Sequence, residues 1–181
     1  MKIAIIGYSG SGKSTLAKKL GVMSGAPVLH LDRVHWLPGW QERPREEELA
    51  MVTQFLNENG AWIIDGNYSA LEYQRRMEEA DHIIFMAFNR MDCFGRTLRR
   101  VARHRGESRP SMADGCNEKL DAGFAWWILH EGRNRARKER YDEVVAAYPE
   151  KTLVLKNQRE LDAFVANIQP TAKPEAEHAN A

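Results

Sequence analysis

The first residues able to do chemistry form one run, Gly7-Tyr8-Ser9-Gly10-Ser11-Gly12-Lys13-Ser14, which fits the order G-x-x-x-x-G-K-[ST] at every fixed position. Glycines let the backbone curl until successive N–H groups point at one anion. A helix starting at the lysine adds its positive end to the same spot. Lys13 can bridge terminal phosphates and the Ser14 hydroxyl can ligate Mg²⁺. Each backbone donor to a charged oxygen is worth about 1.5–3 kcal/mol, so several together hold a polyphosphate well. The expected ligand is ATP with Mg²⁺.

Two carboxylates follow at strand ends. Asp65 closes the apolar run Trp62-Ile63-Ile64 and precedes Gly66. At the carboxyl edge of an open α/β sheet it would stand beside the glycine-rich loop and hold Mg²⁺ directly or through water. Asp32 ends Val28-Leu29-His30-Leu31 in the same way and could orient or activate an acceptor. Each could instead cap a turn.

Seven arginines lie between 90 and 109: Arg90, Arg96, Arg99, Arg100, Arg103, Arg105 and Arg109. Planar guanidinium groups suit phosphate oxygens, and phosphoryl transfer needs cations that follow the moving charge. Arg96 and Arg100 share a helical face that Arg103 extends. The same arginines could form a solvated basic face or, with Arg133, Arg135, Arg137, Lys138 and Arg140, meet a nucleic-acid backbone. Trp36 and Trp40 flank Pro38-Gly39, with His30, His35 and Arg43 near them. They could stack on an acceptor or pack beneath their loop. His30, Trp126 and Trp127 read as packing residues, and Cys93 and Cys116 as inert ones.

The elements that must place these residues alternate along the chain. Residues 2–6, 27–31, 61–64, 82–88 and 152–155 read as short buried strands. Helices are predicted over 13–23, 46–58, 69–80, 91–104 and 158–168. A further long helix follows residue 120 and breaks near Gly132. Residues 33–44 read as a loop, and the polar stretch from Gly106 to Cys116 as part of a closing lid at about 104–117. From 169 the composition turns to Pro, Ala, Glu and Asn and predicts a disordered tail. The pattern as a whole predicts a five-stranded parallel sheet covered on both faces.

The bulk numbers agree. A chain of 181 residues suits one domain over 1–168. A net charge of +1 confines any basic site to a patch. Two isolated cysteines form neither a disulfide framework nor a zinc site. The apolar run Ile3–Ile6 is too short for a signal core or a membrane span, so the expected location is the cytoplasm with no membrane partner.

Gly7 to Thr15 with Ile63-Ile64-Asp65-Gly66 resembles the adenylate-kinase-like P-loop kinases. Further segments are similar to the bacterial topology modulation (FlaR-like) proteins of that group. These are His30-Leu31-Asp32, His35-Trp36-Leu37-Pro38-Gly39-Trp40, Ile64-Asp65-Gly66-Asn67-Tyr68, Arg109-Pro110 and Gly115-Cys116. The resemblance spans about residues 1–168. It implies a three-layer α/β/α P-loop NTPase fold with ATP as donor, bound by Gly7 to Thr15. It also implies an adenine-contacting loop at Asn157, and the family's name implies an effect on DNA topology. Arg109-Pro110 resembles the basic lid of shikimate and gluconate kinases. Adenylate kinases follow Asp-Gly with Phe-Pro-Arg, whose arginine binds the acceptor nucleotide, whereas this chain has Asn67-Tyr68-Ser69.

These readings converge on a small-molecule kinase of unspecified acceptor. Lys13, Asp32, Arg96, Arg100 and Arg109 would act at the reacting groups, and Ser14 and Asp65 at the metal. A nucleotide-dependent DNA-binding regulator and a plain ATPase or nucleotide-sensing switch are the alternatives.

Overall fold

The structure, a computed structural model, describes residues 1–103 and 110–168. Arg105 and Arg109, which fall in the lid expected at about 104–117, and the tail expected from 169 lie outside the described residues. The chain runs β1 (Lys2–Gly7), α1 (Lys13–Ser24), β2 (Val28–His30), α2 (Leu31–His35), β3 (Trp36–Leu37) and β4 (Gln41–Glu42). It continues through α3 (Arg45–Glu58), β5 (Trp62–Asp65), α4 (Tyr73–Glu79), β6 (His82–Met86) and α5 (Arg90–Arg103). Then come α6 (Ala122–Leu129), a 3-10 turn (Glu131–Arg133), α7 (Arg135–Ala147), β7 (Thr152–Leu155) and α8 (Gln158–Asn167).

Five strands form one parallel sheet in the order β2-β5-β1-β6-β7. Side chains alternate across it as the pleat requires. Ala4, Ile6, Trp62, Ile64 and Phe85 face one side, where Leu31, Val34, Val52, Leu56, Met77 and Tyr141 from α2, α3, α4 and α7 cover them. Ile3, Ile5, Ile63, Ile84 and Met86 face the other, covered by Leu16 and Leu20 of α1, Cys93 of α5, Ile128 of α6 and Phe164 of α8. Burying each such side chain on both faces contributes about 1.5–3 kcal/mol, which is why the strands read as continuous apolar runs. The three-layer α/β/α expectation holds. Register sets His30 of β2 and Ile5 of β1 on either side of Asp65 at the carboxyl edge.

Three local expectations are corrected. The second strand stops at His30, and Leu31–His35 turns into α2. The stretch 33–44 holds an antiparallel hairpin, with Trp36 opposite Glu42 and Leu37 opposite Gln41. Its turn is made by Gly39 at φ 76° and Trp40 at φ 63°. The helix expected over 69–80 starts only at Tyr73. Glu72 sits at φ 48°, and the carbonyls before it are bonded by a side chain instead of helical amides. Arg76, fully buried, donates to Leu71 O (2.8 Å), Tyr68 O (2.8 Å) and Gly66 O (3.4 Å). Burial pulls its pKa down to about 10, so the guanidinium stays protonated at neutral pH.

Both cysteines are buried and free. Among the described residues no helix is long and apolar enough to cross a membrane.

Candidate active site

A cleft of about 1470 Å³ opens at the carboxyl edge of the sheet. Its phosphate-type end is the turn between β1 and α1. Gly10 sits at φ 81°, and a Cβ there would come within 2.5 Å of Cys93 O. Gly12 sits at φ 100°, where a Cβ would meet Arg96 Nη1 at 2.6 Å. Only glycine allows both the backbone curl and the close packing of α5 behind it. Lys13 folds over the turn, donating to Gly7 O (2.9 Å) and Tyr8 O (3.1 Å). The concave amides and the ammonium at a helix start suit an anion of polyphosphate size.

Below the loop, Ser14 Oγ donates to Asp65 Oδ2 at 2.7 Å. Asp65 is only 4% exposed, and its Oδ1 is hydrogen-bonded to His30 Nδ1. A hydroxyl and a carboxylate side by side are hard oxygen ligands of the kind Mg²⁺ takes, so this pair fits that ion. His30, read from sequence as a satisfied packing residue, fixes the orientation of the Asp65 carboxylate. Asn67 grips the loop from outside: its Oδ1 accepts from Gly7 N (3.0 Å) and its Nδ2 donates to Gly7 O (2.6 Å).

Asp32 stands in the first turn of α2 on the cleft wall, and its Oδ1 accepts from Tyr68 OH at 2.9 Å. Burial and the Asp32 and Glu48 carboxylates push the Tyr68 phenol far above its usual range, which keeps it a donor. His35 Nδ1 bonds Glu48 Oε1 at 2.6 Å. The His35 ring lies 4.8 Å from Tyr68 and 4.6 Å from Trp36, which in turn meets Trp40 edge-on at 5.5 Å.

The arginines divide. Arg96 braces the back of the loop: Nη1 donates to Ser11 O (2.6 Å), Nη2 reaches Gln158, and the plane lies over Phe88 at 4.6 Å. Burial lowers its pKa. Arg100 pairs with Glu118 at 3.0 Å, and Arg99 and Arg103 also line the cleft. Arg133, grouped above with the basic stretch, turns inward to Phe88 O (2.8 Å) and covers Tyr8 at 3.8 Å. Arg137 and Arg140 of α7 line the cleft from the opposite wall and were not singled out for it from sequence. Their signal is spacing: with buried Tyr141 and Val144 they fall at i, i+3, i+4 and i+7 on the inward face.

The expectation for the two helical tryptophans changes. Trp127 is no mere core residue; its Nε1 donates to Ser9 Oγ at 3.2 Å, and Arg137 covers its ring at 4.3 Å. Trp126 is 54% exposed. The Asn157 side chain caps α8, accepting from Glu160 N at 3.0 Å, and Gln158 is the cleft-lining residue of that turn. From Pro110 to Cys116 the chain docks on α2 and the hairpin. Cys116 Sγ donates to Leu37 O at 3.2 Å, and Arg33 Nη1 donates to Pro110 O at 3.3 Å.

No family model matches the chain, and no curated protein matches it. Among solved structures, shikimate kinase from Acinetobacter baumannii in complex with shikimate is similar, with a TM-score of 0.57 and 15% identity over 90% of this chain and 87% of that one. Deoxyadenosine kinase from M. mycoides with bound dATP gives 0.53 and 16% identity over 92% and 98%. TT1252 from Thermus thermophilus gives 0.50 and 16% identity over 93% and 98%. At such identities the likeness is one of fold. The chain has the α/β fold of the P-loop kinases.

Proposed function

We propose that the chain is an ATP-dependent, Mg²⁺-assisted kinase of a small-molecule hydroxyl. The observation that carries this reading is the Ser14–Asp65 pair at 2.7 Å beneath the glycine-rich loop, in the same cleft as a carboxylate, Asp32, held by Tyr68. A nucleotide switch needs the first feature and has no use for the second.

In this reading the amides of Gly7 to Thr15 cradle the phosphates of ATP, and Lys13 neutralises the β- and γ-oxygens. Ser14 and Asp65 would hold Mg²⁺, whose charge offsets that of the polyphosphate. Asp32 Oδ2 receives the proton of the acceptor hydroxyl. The acceptor oxygen bonds the γ-phosphorus as the bond to the β,γ-bridging oxygen breaks, and ADP leaves. Arg137 and Arg140, with Arg100 and the Arg109 expected from sequence, stabilise charge on the transferring group. Arg96 braces the loop that positions it. The adenine is left to the backbone of the turn before α8, since the Asn157 side chain caps the helix. Pro110 to Cys116 and the residues before them would exclude water.

The test is ADP formation from ATP–Mg²⁺ with a panel of hydroxyl compounds, beside binding of ATP–Mg²⁺ read by thermal shift. The reading predicts a shift for the wild type, lost in Lys13→Ala, and hydrolysis that one acceptor diverts into a phosphorylated product. Absence of any shift with ATP or GTP would sink it.

A further inference from the structure

The kinase reading leaves its acceptor open, and the far end of the cleft narrows it. Six side chains from four segments meet there: Asp32, His35, Trp36, Trp40, Glu48 and Tyr68. They form a continuous cage of rings and carboxylates linked by the contacts given above. Glu48 decides the matter. It is 6% exposed and lines the cleft, and while Oε1 is taken by His35, Oε2 has no hydrogen-bond partner among the described residues. A carboxylate oxygen that opens onto a cavity calls for a donor. Asp32 Oδ2 is likewise without a partner among the described residues.

The donors that an anionic acceptor would require are engaged or stand at the rim: Lys119, whose ammonium lies 5.6 Å from the Trp40 ring, pairs with Asp121 at 3.5 Å. The Tyr68 hydroxyl is held by Asp32. Arg43 turns Nε to Val34 O at 2.7 Å and Nη1 toward Glu47 at 3.6 Å. Arg45, at the first residue of α3, stands exposed at the rim. Position 67, where adenylate kinases begin Phe-Pro-Arg, carries an asparagine committed to Gly7. A phosphate or carboxylate pressed into the cage would face two carboxylates, a like-charge juxtaposition costing several kcal/mol. What fits is a flat ring against indole and phenol faces that presents an N–H to Glu48 and a hydroxyl to Asp32. Trp40 is held at φ 63°, a conformation costly for a non-glycine residue, and this aims its indole at the cleft wall.

We infer that the acceptor is a nucleoside whose base bears an exocyclic amine, bound without any phosphate of its own. The base amine donates to Glu48 Oε2, the ring packs on Trp36 and Trp40, and the sugar hydroxyl gives its proton to Asp32 Oδ2 as it takes the γ-phosphoryl group. ADP and a nucleoside monophosphate are the products. This assignment rests on the kinase reading.

The experiment compares adenosine, cytidine and uridine with AMP, CMP, UMP, shikimate and gluconate as acceptors for ATP–Mg²⁺, products identified by mass. Adenosine or cytidine is expected to be phosphorylated with kcat/KM at least about tenfold above every anionic compound and above uridine. Glu48→Gln keeps the His35 contact and replaces the free oxygen with a donor. It should erase the preference over uridine through KM, with kcat and melting temperature near wild type. Trp40→Ala should raise KM for all nucleosides. A monophosphate, shikimate or gluconate used better than adenosine and cytidine overturns the assignment. So does silence of every nucleoside in a protein that ATP–Mg²⁺ still stabilises against heat. If ATP–Mg²⁺ causes no thermal shift, the kinase reading fails first and this assignment falls with it.

Discussion

The two ends of the cleft are built on different principles. The end proposed for phosphate is built mainly from one contiguous turn of main-chain amides, fixed once the strand and helix around them form. The acceptor end is made of side chains from α2, the hairpin, α3 and the loop after β5, joined by contacts such as Tyr68 to Asp32 across 36 positions. A site made of backbone depends on glycine and spacing. A site made of side chains depends on every element that carries one, so it is open to change in specificity without loss of the first.

The largest break in this comparison comes from Lys13→Ala, expected to lower turnover about a thousandfold with little change in melting temperature. Asp65→Ala should cost several hundredfold, read in the same assay at saturating ATP. Near-normal rates in that variant would remove Asp65 from the metal site. Arg76→Met attacks the acceptor end from beneath. Gly66 O and Leu71 O lose the Arg76 donor and Tyr68 O loses one of two, so about 3 kcal/mol of stability should go, a drop in Tm of roughly 6–12 °C. His30→Gln should raise the Mg²⁺ concentration for half-maximal rate about tenfold, while ATP-independent stability changes little. The smallest effect is a control far from the cleft. Glu79 accepts from Lys2 and Arg75, and these bonds lower its carboxyl pKa. Its contribution is therefore present above the ordinary carboxylate range and fades as pH falls through the lowered value. Glu79→Gln should cost less than about 1 kcal/mol at neutral pH, seen by urea denaturation.

The same contrast explains what the sequence made legible. Gly7 to Ser14 and the five apolar strands were readable because spacing and continuous burial are local properties. Asp65 was readable because its strand ends in the only carboxylate of an apolar run. The hairpin at 36–42 was not, since its two-residue strands carry no hydrophobic period. Helix α4 lost its first turn to Arg76, a long-range capture of carbonyls that helical propensity does not encode. Arg137 and Arg140 were grouped with Arg133, Arg135 and Lys138 as candidate nucleic-acid contacts because in sequence they form one basic stretch. Their inward placement shows only when charge is read together with Tyr141 and Val144. The cage around Glu48 depends on register and packing, so sequence offered Asp32 and the Trp36–Trp40 pair with His35 separately, and Glu48 not at all.

Asn67 and Tyr68 are neighbours in sequence whose side chains hold opposite ends of the cleft, one gripping both main-chain groups of Gly7 and the other holding Asp32. Tension on either residue is passed to its neighbour through a single peptide unit. In the proposed kinase, ATP and its acceptor are therefore expected to bind with synergy, each lowering the dissociation constant of the other in calorimetry.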